Sequence, residues 1–126
     1  GGFGQQMLSF FGEAEIKAFI KAAIAETQKL EIGLGKISHR EKKVVIMHYS
    51  PIVETLKGED PSIFPFLGST RFEEVIDRFQ VNYVFHGHAH YGFPEGKTGK
   101  EALVFNVAFP LMRRIYKKSG FRVFEI

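Results

Sequence analysis

The sequence contains no cysteine among its 126 residues. This absence excludes a disulfide framework, a thiolate zinc site, an iron–sulfur cluster and a cysteine nucleophile. Aspartate is scarce as well, since Asp60 and Asp77 are the only two among 14 acidic residues. Any metal chemistry must therefore depend on histidine and carboxylate side chains, and the low aspartate count argues against a complete polynuclear site built by this chain alone.

Long apolar runs and a signal-peptide pattern are also missing. No run reaches the roughly 18 apolar residues that a membrane span requires, so we predict a soluble, cytoplasmic protein with no membrane partner. A net charge of +3 tolerates a phosphate-bearing partner but does not indicate nucleic acid. The first methionine is Met7, which predicts a processed chain or a piece of a longer protein.

The residues that are present have the composition of one globular domain, with 44% hydrophobic and 25% charged positions, and the order of helices and strands below predicts an α/β fold. Residues 1–12, rich in glycine and phenylalanine, predict a turn-rich entry segment. Apolar residues at helical spacing predict a helix from Glu13 to Leu30 with one buried face, ended by Gly33 and Gly35. The run Val44–Met47 predicts a strand buried on both faces of a largely parallel sheet.

A second strand, Val81–Phe85, follows a long connection and a short helix that starts at a capping box of Thr70 and Glu73. Because one helix joins the two strands, a right-handed crossover should make them parallel. Three further short strands are predicted over 102–107, 113–118 and 121–126.

Histidines follow both predicted parallel strands. His48 comes directly after the first, and His86, His88 and His90 end the second. The carboxyl ends of parallel strands meet at one edge of a sheet, where open α/β sheets bind ligands. Neutral imidazole is the commonest protein ligand for transition metals, so we predict His48, His88 and His90 as metal ligands in one cluster.

Other side chains have simpler interpretations. His86 is expected to hydrogen-bond a neighbour, and His39, in a polar connector, is expected to be solvated. Three phenylalanines fit core and loop packing better than a substrate pocket, namely Phe64, Phe66 and Phe72. A basic group near the C-terminus could bind phosphate but fits a solvated face or a guarded edge strand better: Arg113, Arg114, Lys117 and Lys118.

The segment His48-Tyr49-Ser50-Pro51, followed about 40 residues later by Gly87-His88-Ala89-His90, resembles the last two metal motifs of the calcineurin-like binuclear metallophosphoesterases. The resemblance covers about residues 43–107. It implies that 1–126 is a partial domain, the C-terminal half of a four-layer α/β/β/α sandwich with mixed sheet. It also implies divalent metal ions (manganese, zinc or iron), with His48 and His88 on one ion and His90 on the other, and a phosphate-ester substrate.

The earlier motifs of that family are absent from this sequence: an Asp-x-His, a Gly-Asp with the bridging aspartate, and a Gly-Asn-His with the general acid. On the resemblance they would lie N-terminal to Gly1. We therefore predict that the parent protein hydrolyses a phosphomonoester or phosphodiester, while this chain alone is inactive, because two-metal hydrolysis needs both ions. We also predict that the isolated chain self-associates, because the absence of the covering half leaves apolar surface exposed.

Two alternatives remain open. The chain can be a small non-catalytic binding or regulatory module with at most a weak single metal site. A metallo-β-lactamase-like hydrolase fits less well, because Gly92 and Phe93 stand where that pattern requires Asp and His.

Overall fold

A mixed four-stranded sheet organises the chain. The computed structural model describes the backbone from residue 2 and the side chains from residue 14, and within these residues it is a small α/β domain with four helices. The helices are α1 (Gly2–Lys36), α2 (Phe64–Leu67), α3 (Thr70–Arg78) and α4 (Phe109–Ile115). The strands are β1 (Val44–Met47), β2 (Tyr83–His86), β3 (Glu95–Lys97) and β4 (Leu103–Asn106).

The strand order is β1-β2-β4-β3, and only β3 in this sheet is antiparallel to its neighbour. The pairing of β1 with β2 is parallel, as the crossover argument predicts, and so is the pairing of β2 with β4. The carboxyl ends of these three strands consequently share one edge. Val45, Val84 and Val104 stand in register across the sheet, and all three are buried.

The main core lies between one face of the sheet and the helices α1 and α3. Leu34 of α1 joins Phe72, Val75 and Ile76 of α3 in this cluster. The helix α3 begins as predicted, but its cap is Ser69 rather than Thr70, since the Ser69 hydroxyl accepts from the amide of Arg71 at 3.3 Å. The helix α3 thus packs against α1 in the core cluster on this face of the sheet.

The opposite face of the sheet is covered only in part by the described residues. Ile46 of β1 is 85% exposed, so the prediction of burial on both faces is wrong for this strand. The C-terminal segment covers the neighbouring strands, where the Phe124 ring lies 4.9 Å from Phe85 and 4.4 Å from Phe105. This apolar face, defined by Ile46, Phe85 and Phe105, therefore remains open beside β1.

Three other sequence predictions are wrong. The helix α1 runs from Gly2 to Lys36, through the supposed turn-rich segment and through Gly33 and Gly35, because an interior glycine costs only about 1 kcal/mol. Residues 113–115 belong to α4, whose first turn contains proline and whose Leu111 and Met112 are buried. Residues 121–126 form no strand, since no strand of the described chain pairs with them.

None of the helices in the described part of the chain combines the length and the apolar character needed to cross a bilayer.

Candidate metal centre

His48 and His88 meet at the carboxyl edge of the sheet. Their ring centroids are 4.6 Å apart, and the ring planes are inclined by 43°. His48 follows the last residue of β1, and His88 lies two residues beyond the end of β2. The amide of Gly87 donates to the carbonyl of His48 at 3.2 Å, which ties the two strand exits together.

Tyr49 completes a cluster of three rings with this pair. Its ring lies edge-on to His48 at 5.0 Å and to His88 at 5.1 Å. His48 is exposed, whereas Tyr49 and His88 are half-buried. The two imidazoles therefore lie against one aromatic wall and remain accessible from solvent.

The backbone at His88 has an uncommon conformation. Its φ is +67°, and the amide of Ala89 donates to the carbonyl of Gly87 at 2.8 Å, which closes a γ-turn centred on His88. A non-glycine residue with positive φ is strained, and it persists where the surrounding packing holds it. Here the next residue supplies that packing, since Ala89 is fully buried with Leu56 and Leu67.

The surroundings of His88 favour its neutral form. Burial lowers the pKa of His88, and the charge of His48 lowers it further. A hydrogen bond to the backbone of Phe66 acts in the opposite direction, as does the carboxylate of Glu59, while His90 adds to the lowering. A neutral imidazole keeps a lone pair, which is the form that binds a metal.

His90 lies at the rim of this site rather than in the ring cluster. It is exposed, and its carbonyl accepts from Arg114 Nη1 at 3.5 Å. Among the residues that the structure describes, no three His, Asp or Glu side chains form a group that could hold a metal ion. The structure thus brings together His48 and His88 of the three predicted ligands and does not join His90 to them in such a group.

His86 has a structural role, as expected. It is 1% exposed, and both ring nitrogens are engaged: Nδ1 donates to the carbonyl of Gly87 at 2.8 Å, and Nε2 accepts from the Thr55 hydroxyl at 2.8 Å. The buried Ser50 hydroxyl extends this network, at 2.7 Å from Thr55 Oγ1. Burial lowers the pKa of His86 to about 4, with smaller contributions from the charges of His48 and His88. His39 is exposed, also as expected.

Comparison of the chain with protein-family models, with curated proteins and with solved structures gives no match. Function must therefore be inferred from the geometry of the histidine pair and from the motifs that carry it.

Residues 87–91, which follow β2, form the histidine loop. Sequence reasoning missed the residues that hold this loop in place. The side chain of Asn106 is fully buried at the end of β4, where Nδ2 donates to the carbonyl of Ala89 at 2.8 Å and Oδ1 accepts from the amide of Ala108 at 3.1 Å. Glu59 Oε1 accepts from the amide of Tyr91 at 2.7 Å. The position of Asn106 at a strand end was a usable signal, whereas Glu59 lies in a long connection that offers none.

Both aspartates serve local structure. Asp60 accepts from the amide of Ser62 at 2.9 Å at the start of a 3-10 turn. Asp77 accepts from the Thr98 hydroxyl and from the amide of Lys100. Neither carboxylate belongs to a group that could hold a metal with the described histidines.

Proposed function

We propose that this chain supplies part of the metal site of a metal-dependent phosphoesterase that hydrolyses a phosphomonoester or phosphodiester. The observation that carries the proposal is the contact between His48 and His88 at 4.6 Å. Each imidazole follows a separate parallel strand, at the sheet edge where α/β folds bind their ligands. The motif resemblance adds His90 as a ligand of a second ion and a divalent manganese, zinc or iron as the metal.

The strained turn at His88 supports the same proposal. Positive φ at a non-glycine residue tends to occur at ligand-binding and active sites, where the strain is retained because it orients a group. Asn106 and Ala89 hold this turn through buried contacts. The arrangement orients the imidazole of His88 toward His48 before any metal binds.

The chain is proposed to be one part of the site and not the whole of it. The two imidazoles fit a transition metal in chemistry but not in number, because the described residues contain no group of three ligands. Two-metal phosphoester hydrolysis requires a pair of ions and a carboxylate that holds them. The proposal therefore places the remaining ligands in a longer, cytoplasmic parent protein, in which this chain is the C-terminal half of the four-layer sandwich and is inactive alone.

A second candidate is a small non-catalytic binding or regulatory module with at most a weak single metal site. The observation that favours it is again the missing third ligand among the described side chains. On this view His48 and His88 would bind one ion loosely, and no hydrolysis would occur in any longer form of the protein.

Metal binding and turnover together distinguish the two candidates. Paramagnetic broadening by Mn²⁺ should affect the side-chain NMR signals of His48 and His88 and spare exposed His39.

The second measurement is turnover of a chromogenic phosphodiester. The 126-residue chain should not hydrolyse it, whereas the parent protein should. In the parent protein, His88→Ala should abolish that activity while His39→Ala leaves it intact. A parent protein without turnover would establish the module, and turnover by the isolated chain that His88→Ala removes would show a more complete site than proposed.

A further inference from the structure

A cationic side chain lies beside the histidine loop on an element that the metal motifs do not include. The strand β4 ends at Asn106 on the same edge as β1 and β2, and α4 begins three residues later. Leu111 and Met112 of α4 are buried, in a cluster with Ala108. The helix therefore begins close to the sheet edge at which His48 and His88 meet.

Arg114 is the residue of α4 that reaches the histidine loop. Its Nη1 lies 3.5 Å from the carbonyl of His90, and its Cζ lies 5.8 Å from the centre of the Tyr91 ring. Its neighbour Arg113 is directed along its own helix, with Cζ 5.9 Å from the Phe109 ring. The two adjacent arginines therefore have different contacts: Arg114 contacts His90 and Tyr91, and Arg113 contacts Phe109 of its own helix.

The guanidinium of Arg114 has more N–H donors than the described residues engage, so it can donate hydrogen bonds to a ligand. It pairs with no carboxylate of the described residues, in contrast to Arg78 and Arg122, which pair with Glu31 and Glu95. The one hydrogen bond that it makes to a described residue, to the His90 carbonyl, is 3.5 Å long and therefore weak. Glu59, the carboxylate that acts on His88, already accepts from the amide of Tyr91.

A guanidinium presents five N–H groups in a planar fork, which matches two oxygens of a phosphate group. We infer that Arg114 binds the phosphoryl oxygens of the substrate beside the histidine pair. This inference rests on the proposed function, because it takes the ligand to be a phosphate ester. Arg114 is then a substrate-binding residue contributed by α4, outside the two histidine motifs.

The test is a titration of the 126-residue chain with inorganic phosphate at constant ionic strength and without added metal, followed by NMR. Phosphate should shift the Arg114 Nε–H signal and the amides of residues 88–91. We expect Arg114→Ala to weaken binding by at least about fivefold, Arg114→Lys to restore part of it, and Arg113→Ala to leave it unchanged.

Equal weakening by Arg113→Ala and Arg114→Ala would mean that only diffuse basic charge attracts phosphate, and this would overturn the inference. Unchanged binding in Arg114→Ala would overturn it as well. A separate Mn²⁺ titration keeps the two proposals apart. If Mn²⁺ fails to broaden the His48 and His88 signals, the metal part of the proposed function fails, while the phosphate titration still decides the role of Arg114.

Discussion

His86 and His88 are separated by one residue, yet they differ in how far their ring nitrogens are enclosed by protein partners. His86 is enclosed, and both ring nitrogens have protein partners, so it has no lone pair to offer. His88 is half-exposed, with its ring against His48 and Tyr49. The side chain of His86 stabilises the strand exit, and that of His88 is left for a ligand.

Because His86 is buried in its neutral form, the free energy of unfolding should depend on pH. With a pKa near 6.5 when unfolded and about 4 when folded, the unfolded chain binds more protons between these values. Stability should therefore be complete above pH 6.5 and decrease as pH falls toward 4, by a total of about 3 kcal/mol from this residue. Urea unfolding at a series of pH values would measure it.

The matched controls for this pH dependence are His86→Gln and His39→Gln. The first should reduce the slope of the profile over that window even though it lowers stability overall, because His86 no longer titrates while His88, whose pKa is also lowered, still does. The second should leave the profile unchanged, since His39 is exposed. A wild-type profile without a slope in this window would show that His86 titrates normally.

At the scale of the element, two glycines with opposite surroundings make a direct test of the fold. Gly33 lies inside α1, and a Cβ added there would contact nothing within 4 Å. Gly58 has a φ of +113°, and a Cβ there would come within 2.1 Å of the carbonyl oxygen of Tyr91. We expect Gly33→Ala to stabilise the protein by about 0.5 to 1 kcal/mol and Gly58→Ala to destabilise it by about 2 kcal/mol or more.

Chemical denaturation of both variants beside wild type measures these changes. A loss of stability in Gly33→Ala would mean that α1 does not continue through this position. Wild-type stability in Gly58→Ala would mean that the close approach of Gly58 to Tyr91 is not required. In that case the histidine loop would have to be held by Glu59 and Asn106 alone.

The elements that the sequence predicts correctly are those whose signals are local. The strand β1 is a continuous apolar run between polar residues, and α3 has a serine or threonine at its start and apolar residues at helical spacing. Residues 113–118 contain Ile115 and Tyr116, which favour a strand, but residues 113–115 continue helix α4, whose Leu111 and Met112 are buried, and burial is a tertiary property. Residues 121–126 have strand-forming side chains but no partner strand among the described residues.

In the candidate site, as in the fold, some features can be predicted from the sequence and others depend on tertiary contacts. The convergence of His48 with His88 follows from strand order, which a crossover helix makes predictable. The positive φ of His88 and the support from Asn106 depend on contacts between segments that are far apart in sequence. The position of Asn106 at a strand end can be read from the sequence, but the contacts that it makes and the backbone conformation of His88 cannot.

At the scale of the whole molecule, the open apolar face should make the isolated chain associate with itself. Ile46 is 85% exposed on β1, which is an edge strand of the sheet. An apolar face beside an unpaired edge favours contact with a second copy. We expect light scattering to give a mass above the 14.3 kDa of one chain.

Two exposed isoleucines allow a matched comparison for this association. Ile46→Lys should shift the protein toward monomer, because it places a charge on the open face. Ile32→Lys should not, since Ile32 is 61% exposed on α1 and is not part of the open face of the sheet. A stable monomer over about a tenfold dilution of wild type would contradict the expectation.

The parallel pairing of β1 with β2 also determines when the two imidazoles can meet as the chain folds. Residues 44 and 83 pair only after a crossover that contains α2 and α3 has closed, and such long-range closure is slow compared with the formation of a local helix. The helices can form while His48 and His88 are still far apart. The mutual ring-current shift of the two histidines should therefore appear late in refolding, after the helical circular dichroism signal, as a reporter of the completed sheet.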